Sequence, residues 1–529
     1  MLFRKIAFNL VFAAVAVLLI SAQVSATKLF QPIKTYDSGG VYPYRTAIAD
    51  VNGDGKQDLL VINSCGSCNS RIGVLLGNGD GTFQPATTYD SGGADAVSVQ
   101  AADLNGDGKI DLIVANGCVS VANQACQFSS IGVVGVLLGN GDGTFQPAQL
   151  YNTASWGPAA LAIADVNGDG RPDVVVTHSN TGCWGQTASI DVFLGKGDGT
   201  LGPVKTYASG GCSAAAVTIA DVNRDGKPDL VVLNNCSFDS CDGLVSVLLG
   251  NGNGTFEAAK NFPSGGMYAS SIAVADVNED GKLDAVVMNG CNQCAGGSYV
   301  GVLLGNGDGT FQTAQIYSSG GYVGLGITVA DINRDGHVDI AALSCGTTIN
   351  SCLHHQAIDG KGEIGILFGH GDGTFQKAQM YASGGTSVMS IAAADLDGDG
   401  RPDLVATNQC ASLTECPNGI LGVLLNSTPW GTSTALTSTP NPATETQWVT
   451  FTATVQSSGA TTPTGSVSFF NGTAHLGSTV LRDGIAVLKK KNLPVGTLSI
   501  YASYVGNAQD GPSSSPIVTQ VVDADAAKE

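Results

Sequence analysis

Short apolar runs recur along most of the chain, separated by loops rich in Gly, Asn, Asp and Ser. Examples are Leu59–Ile62, Val174–Val176 and Leu230–Leu233. Runs of this length, rich in β-branched residues and bounded by turn residues, indicate buried strands rather than helices. The segments that precede them, such as Ala216–Ala220, also alternate or run apolar. The pattern predicts an all-β protein built from repeated short strands.

A nine-residue acidic motif, Asp-x-(Asn/Asp)-x-Asp-Gly-x-x-Asp, joins such strands seven times. Side-chain oxygens at places 1, 3, 5 and 9 and a backbone carbonyl at place 7 are the hard ligands that calcium prefers, and Gly at place 6 allows the sharp turn. An EF-hand is excluded because apolar strands, not helices, flank the loop. We therefore expect about seven Ca²⁺ ions, one per motif. The predicted ligands are Asp50, Asn52, Asp54, Lys56, Asp58; Asp103, Asn105, Asp107, Lys109, Asp111; Asp165, Asn167, Asp169, Arg171, Asp173; Asp221, Asn223, Asp225, Lys227, Asp229; Asp276, Asn278, Asp280, Lys282, Asp284; Asp331, Asn333, Asp335, His337, Asp339; and Asp395, Asp397, Asp399, Arg401, Asp403.

The spacing of the motifs and two further marks define one structural unit. The motifs begin 53 to 64 residues apart, which is the range of propeller blades. A Gly-Asn-Gly-Asp-Gly-Thr-Phe segment, first at Gly77–Phe83, predicts a tight hairpin turn, and no Lys follows it to favour a phosphate site. Tyr-x-Ser-Gly-Gly, first at Tyr36–Gly40, closes most units. Each unit therefore predicts a four-stranded antiparallel blade.

The seventh unit lacks its last strand, and the missing piece lies at the other end of the chain. After Leu425 the Gly-rich turn is absent, whereas Leu29–Gly40 aligns with Thr82–Gly93. An N-terminal strand that completes the last blade would close the ring and remove two sheet edges. The prediction is a closed seven-bladed β-propeller over residues 27–426.

These motifs resemble the FG-GAP repeats of integrin α-subunit propellers and the VCBS-type repeats of secreted bacterial proteins. The resemblance covers residues 27–426 and implies the propeller fold and its calcium loops. It does not imply one function, since propellers carry many.

The C-terminal part changes character. Residues 434–523 have no acidic motif and no Cys, and segments such as Trp448–Val455 and Leu498–Tyr504 alternate cleanly. Short alternating strands predict a β-sandwich, and the string resembles bacterial Ig-like repeats. Residues 427–433 are the expected linker and residues 524–529 a tail.

The N-terminus predicts export. Met1–Lys5 is basic, an apolar run follows to Ile20, and small residues lead to Ala26. This is the pattern of a secretory signal peptide over residues 1–26, cleaved near Ala26. The run is too short for a comfortable membrane span and no later stretch is long and apolar enough to anchor the protein. We expect a secreted, extracellular or cell-surface protein with no membrane anchor.

The fourteen cysteines fit an exported protein, and most come in pairs within the loop between the second and third strands of a unit. Zinc and redox chemistry are disfavoured because the two Cys-x-x-Cys pairs lie four units apart and no βαβ pattern surrounds them. Structural disulfides are the prediction. The expected pairs are Cys65–Cys68, Cys118–Cys126, Cys236–Cys241, Cys291–Cys294, Cys345–Cys352 and Cys410–Cys416, with Cys183–Cys212 joining the two left over.

The net charge of −20 is mostly local, since the aspartates of the seven motifs number 22 and make up half of the 44 acidic residues. No basic surface for nucleic acid is evident. Nucleic acid is therefore excluded as a partner.

The propeller geometry sorts the loops onto two faces. Acidic loops and Gly-rich turns share one face, whereas Cys loops and Ser-Gly-Gly crossovers share the other, which varies as a recognition face would. The third unit departs there with Trp156, His178 and Trp184, which are the candidate ligand-binding residues. An exposed Trp pair would stack on sugar rings, although the frequency of buried aromatics favours both as gap fillers.

No catalytic motif emerges. The expected function is extracellular binding or adhesion with a glycan or protein ligand, and carbohydrate recognition through the variable face is the more specific hypothesis. The alternatives are a polysaccharide-active enzyme and a purely structural surface protein.

Overall fold

The structure, a computed structural model, describes residues 29–64, 69–119, 126, 131–179, 187–237, 240–291, 297–346, 361–412, 418–459, 462–507 and 509–525. These residues form 34 β-strands and no helix. The first 25 strands make the propeller and the remaining nine make a second domain.

The blades follow one another along the chain, and each acidic loop joins the two innermost strands of a blade. Strands that span two blades form the outer edge of one and the inner edge of the next. The propeller strands are β1 (Lys34–Asp37), β2 (Pro43–Ala49), β3 (Asp58–Asn63), β4 (Asn69–Leu75), β5 (Thr87–Ala102), β6 (Asp111–Val119), β7 (Ile131–Leu137), β8 (Gln149–Trp156), β9 (Pro158–Ala164), β10 (Asp173–His178), β11 (Ser189–Phe193), β12 (Lys205–Ala208), β13 (Cys212–Ala220), β14 (Asp229–Cys236), β15 (Asp242–Leu248), β16 (Lys260–Ala275), β17 (Asp284–Cys291), β18 (Tyr299–Leu303), β19 (Gln315–Ser318), β20 (Val323–Ala330), β21 (Asp339–Cys345), β22 (Lys361–Leu367), β23 (Gln379–Ala394), β24 (Asp403–Cys410) and β25 (Ile420–Leu424).

The N-terminal strand completes the seventh blade, as predicted. β1 pairs antiparallel with β25, with Lys34 opposite Val423 and Asp37 opposite Ile420. The innermost strands β2, β5, β9, β13, β16, β20 and β23 each contact the next, and β23 contacts β2. The seven blades therefore form a ring.

Aromatic pairs connect neighbouring blades. Five of the six Gly-rich turns end in Phe, and each of these rings, like Phe30 in the seventh blade, meets edge to face an aromatic residue on the outer strand of the preceding blade. Tyr36 and Phe83 are typical, with ring centroids 5.4 Å apart at an interplanar angle of 84°. Such pairs stabilise by about 0.5–1.5 kcal/mol each beyond the apolar area they bury. The others are Phe30–Tyr381, Tyr89–Phe145, Tyr207–Phe256, Phe262–Phe311 and Tyr317–Phe375.

The Ser-Gly-Gly crossovers are fixed by a buried Ser–Asn hydrogen bond. Ser38 Oγ donates to Asn63 Oδ1 at 2.6 Å, and four further crossovers repeat the bond at the same distance. A Cβ on Gly73 of the adjacent strand would lie 2.0 Å from the Ser38 carbonyl oxygen, so the close approach requires glycine. The crossover sequence is therefore structural.

The C-terminal domain is a two-sheet sandwich. Its strands are β26 (Thr432–Thr439), β27 (Ala443–Thr444), β28 (Val449–Ser457), β29 (Ser466–Asn471), β30 (Ala474–Val480), β31 (Ile485–Lys490), β32 (Gly496–Tyr504), β33 (Ser513–Ser514) and β34 (Val518–Asp523). One sheet has the order β26-β28-β31, and the other holds the remaining strands. Phe451, Phe469 and Tyr504 are fully buried between them. β26 begins at Thr432, inside the expected linker, because it pairs with β28 as far as Ser457.

Candidate metal and recognition sites

Each acidic loop is folded by its own side chains. In the first loop Asp50 Oδ1 accepts hydrogen bonds from the N–H groups of Gly53 and Asp54, and its Oδ2 accepts one from Gly55 at 2.8 Å. The bond from the Gly at place 6 recurs in all seven loops at 2.7–3.0 Å. Asn52 Oδ1 and Asp54 Oδ1 accept from the residues two places on. These hydrogen bonds within the loop thus turn the oxygens at places 1, 3 and 5 toward the interior of the loop.

The aspartate at place 9 has a second task that the sequence did not reveal. Asp58 is fully buried, and its Oδ2 accepts the N–H of Val51 while its Oδ1 accepts the N–H of Gly77, the first residue of the Gly-rich turn. The same two bonds form in every blade, with Asn426 replacing the glycine in the seventh. This carboxylate therefore connects the acidic loop to the turn on the same face.

Burial makes the charged form of this aspartate unfavourable. It raises the pKa of all seven place-9 residues, to about 6 for Asp173 and Asp339 and to about 7 for Asp403, despite the hydrogen bonds that oppose the shift. A nearby positive charge would stabilise the charged form of a buried carboxylate of this kind.

A basic residue at place 7 partly supplies that charge at the rim. Lys56 Nζ lies 3.2 Å from Asp54 Oδ2, and five other loops have the equivalent pair. In the sixth loop His337 pairs instead with Glu279 of the fifth. Three aspartates and Lys56 still leave the first loop with a formal charge of −2, which one divalent cation would neutralise.

The seventh loop fits a cation best. Asp395, Asp397 and Asp403 each offer a carboxylate oxygen, and these oxygens lie within 4.8 Å of one another. Calcium–oxygen distances of about 2.3–2.6 Å allow ligand oxygens to be about 5 Å apart. The loop differs from the other six in having Asp rather than Asn at place 3. Its donor set and spacing therefore suit calcium.

The disulfide predictions have a mixed outcome. Cys118 and Cys126 are bonded as predicted. Cys236 and Cys241 are both thiols, so the predicted Cys236–Cys241 bond is wrong: the buried Cys236 thiol instead donates to Asn235 Oδ1 at 3.1 Å and interacts with the Cys241 thiol. Cys212, Cys345 and Cys410 are disulfide-bonded. Outside the described residues lie their predicted partners Cys183, Cys352 and Cys416, together with Cys65, Cys68, Cys294 and the side chain of Cys291.

Alkylation of the unreduced protein should distinguish these cysteines. Iodoacetamide should label Cys241, which is half-buried, and label Cys236 much more slowly, because burial, with the neighbouring Cys241 as a second cause, raises the pKa of Cys236 to about 12. Cys118 and Cys126 should stay unlabelled until reduction, which makes them the internal control. A peptide cross-linked through Cys236 and Cys241 would contradict the structure.

The third blade replaces the Ser–Asn bond with a His–Asp hydrogen bond. His178 occupies the position of Asn63, and Asp191 that of Gly73; both side chains are fully buried. His178 Nε2 lies 3.0 Å from Asp191 Oδ2, and its Nδ1 lies 3.2 Å from the Trp156 carbonyl oxygen. Burial acts to raise the pKa of Asp191, but hydrogen bonds from His178 and Thr206 bring it below its usual value.

This arrangement corrects the prediction for His178. The side chain is fully buried, and both ring nitrogens are engaged within the blade, so His178 has a structural role and not the predicted ligand-binding one. Trp184 lies outside the described residues. Trp156 is 39% exposed, which contradicts its interpretation as a gap filler.

The His178 pair gives a stability prediction with a built-in rescue. His178→Ala should lower the free energy of unfolding by about 3–5 kcal/mol, because the buried Asp191 loses its His178 partner and keeps only the hydrogen bonds from Thr206 and Ala154. The double variant His178→Asn, Asp191→Gly restores the residues of the first blade and should recover most of that loss. Thermal or urea unfolding measures both. Equal destabilisation of the single and double variants would show that the pair is not the cause.

Exposed aromatic residues mark the crossover face. Tyr42 is 56% exposed and Tyr268 43%, at equivalent positions of the first and fifth crossovers. Both have positive φ, 51° and 53°, a conformation that bulky residues rarely adopt. Trp156 lies on the third crossover, next to Gly157, which takes the same backbone conformation at φ 65°. Of these three aromatic residues, the sequence indicated only Trp156 as a candidate, because a tyrosine next to a pair of glycines carries no sequence signal of its exposure.

A ring of four-stranded blades with an acidic loop in each defines a repeat β-propeller. The FG-GAP-like repeat family matches residues 50–114, 122–176, 182–232, 236–287, 294–342 and 357–406. The chain therefore belongs to the FG-GAP-like repeat family. Residues 436–523 match the bacterial Ig-like domain (group 3).

Solved structures that resemble this chain have low sequence identity to it. The chain resembles BBS1N from its complex with ARL6DN (9% identity, 75% of this chain and 97% of that one, TM-score 0.47) and the V. cholerae biofilm matrix protein Bap1 (13%, 75% and 92%, 0.37). It also resembles Kuenenia stuttgartiensis hydrazine synthase (12%, 70% and 93%, 0.42). At these scores the likenesses say nothing about function.

Across the described ranges, the structure contains no helix with the length and apolar character needed to cross a membrane.

Proposed function

We propose that this protein is a secreted, calcium-stabilised propeller that binds an extracellular glycan or protein through its crossover face. FG-GAP-like repeats support an extracellular binding or adhesion role. The observation that carries the proposal is the set of exposed aromatics Tyr42, Trp156 and Tyr268 on three crossovers of one face. Exposed aromatic rings are costly to keep in water and are enriched where proteins bind partners.

Calcium belongs to this proposal as a structural ion. The inward-turned oxygens of the acidic loops, the residual negative charge and the cluster of Asp395, Asp397 and Asp403 support it. These loops share the face opposite the aromatics, because they join the other ends of the strands. The ion would therefore stiffen the blade ends without touching the ligand.

Carbohydrate is the ligand class that we favour. Flat aromatic rings offer their faces to the C–H groups of sugars, and the polar crossovers beside them supply hydrogen-bonding groups. The three aromatics lie on alternate blades, which suits an extended or repeated ligand better than a single small one.

A glycan array with the calcium-loaded full chain tests the proposal. Tyr42→Ala, Trp156→Ala and Tyr268→Ala should each weaken binding of the best glycan by about tenfold or more, as is typical of aromatic anchors. Trp448→Ala is the matched control, since Trp448 is an exposed aromatic of the sandwich domain. Binding that all three variants retain would refute the crossover face as the site.

A further inference from the structure

The centre of the ring contains a cavity that the crossover-face proposal does not use. Its volume is about 440 Å³, and every blade contributes to its wall through its innermost strand. That volume suits a molecule the size of one or two sugar units. None of the three exposed aromatics lines it.

A β-bulge in every innermost strand shapes this wall. Register shifts occur between Pro43 and Thr46 in the first blade and at the equivalent level of the other six. Bulges re-aim side chains that regular pairing would direct elsewhere. The residues at the bulge level form a ring around the cavity, and in the first blade they are Tyr44 and Arg45.

Arg45 is the one charged side chain among the described residues that line the cavity. The equivalent positions hold small or polar residues: Ser98, Ala160, Ala216, Ser271, Gly326 and Ser390. The guanidinium therefore projects into a space that its counterparts leave open.

The guanidinium is poorly satisfied. Its one hydrogen bond with the described residues runs from Nη2 to the Ala215 carbonyl oxygen across the ring, at 3.4 Å. No described carboxylate forms an ion pair with it. Burial lowers the pKa of Arg45, yet a guanidinium stays protonated in proteins. The residue is half-buried, so its four remaining N–H donors are available to a ligand that enters the cavity.

Several polar side chains near the Arg45 guanidinium could form hydrogen bonds with other parts of a bound ligand. Ser98, Ser271, Ser390 and Asn235 line the cavity, and the buried Thr46 Oγ1, beside Arg45, has no hydrogen-bond partner. Apolar contacts come from residues such as Leu325 and Met389. A cavity with one fixed charge, several hydroxyls and apolar patches resembles a small-molecule site.

We propose that this cavity binds a small carboxylate-bearing molecule, with Arg45 as its bidentate partner. The planar fork of arginine matches the two oxygens of a carboxylate. A single positive charge in a chain of net charge −20 balances a monoanion rather than a dianion such as phosphate. The hydroxyl-rich wall favours a hydroxy acid or a sugar acid over a plain fatty acid.

Isothermal titration calorimetry of the calcium-loaded full chain tests this site. The panel is galacturonate, glucuronate and lactate, with galactose and glucose as uncharged controls and sulfate as a non-carboxylate anion. At least one carboxylate should bind, its neutral counterpart should not, and Arg45→Gln should weaken binding by about 10- to 100-fold. Arg71→Gln, which removes an exposed arginine of the same blade, is the matched control and should bind as the wild type does.

A melting experiment separates loss of binding from loss of fold. Without ligand, Arg45→Gln should melt no lower than the wild type, because it removes a half-buried charge that forms no ion pair with the described carboxylates. A binding carboxylate should raise the melting temperature of the wild type and not that of Arg45→Gln. Equal binding by both proteins, no binding by any carboxylate, or preference for sulfate would overturn the proposal.

Discussion

Chelation of calcium should lower the melting temperature of the propeller by many degrees. Each loop gathers three or more acidic side chains, and without a cation they repel one another while the place-9 carboxylate stays buried. Extracellular calcium sites bind at about 10⁻⁴ to 10⁻³ M, and saturation at 100 times Kd stabilises by about 2.7 kcal/mol per site. Scanning calorimetry in EDTA and in millimolar Ca²⁺ measures the difference. Mg²⁺ should not restore the loss, because it requires a smaller octahedral site.

A pair of variants in the second unit makes this prediction specific. Asp107→Asn removes a charge at place 5 of an acidic loop, whereas Asp142→Asn removes one from the exposed Gly-rich turn, where Asp142 accepts a bond from Thr144. Asp107→Asn should weaken one of about seven calcium sites, and Asp142→Asn should leave all of them unchanged. Equilibrium dialysis counts the ions. If full chelation left the melting temperature unchanged, a structural role for calcium would be refuted.

Removal of β1, the N-terminal strand that closes the ring, should lower the melting temperature nearly as much as chelation of calcium. A chain without residues 29–37 loses the pairing of β1 with β25 and exposes the edge of the seventh blade. It also loses Phe30, which is 5% exposed and packs against Tyr381. Loss of a buried Phe alone costs about 3–5 kcal/mol. We expect a clearly lower melting temperature and a tendency to aggregate, read by calorimetry and light scattering.

Complementation provides the control for that deletion. A peptide of residues 29–40 should add back as a strand and raise the melting temperature of the truncated protein, whereas a scrambled peptide of the same composition should not. A truncated protein that melts with the full-length one would show that the seventh blade is stable with three strands.

Much of the architecture follows from the sequence because repetition makes local signals comparable. The alignment of Leu29–Gly40 with Thr82–Gly93 was enough to predict the pairing of β1 with β25. The acidic loops and Gly-rich turns contain the residues that favour tight turns, so the local sequence is enough to predict where they lie.

The remaining features depend on contacts between distant segments. The bond from Gly77 to Asp58 and the projection of Arg45 toward Ala215 appear only when strands are in register. His178 was misassigned because its partner, Asp191, replaces a glycine whose role is visible only beside the crossover. Burial of a histidine or exposure of Tyr42 is likewise a property of the assembled ring.

The pairing of the first strand with the last also bears on how the protein is made. A ribosome synthesises β1 before any other strand of the propeller and β25 after all of them, so β1 has no partner until the seventh blade exists. Pairing across so long a segment is slow compared with the local hairpins of each blade. Nascent chains should therefore hold six formed blades and an open ring, and any product terminated before β25 should remain open and become a substrate for chaperones and proteases.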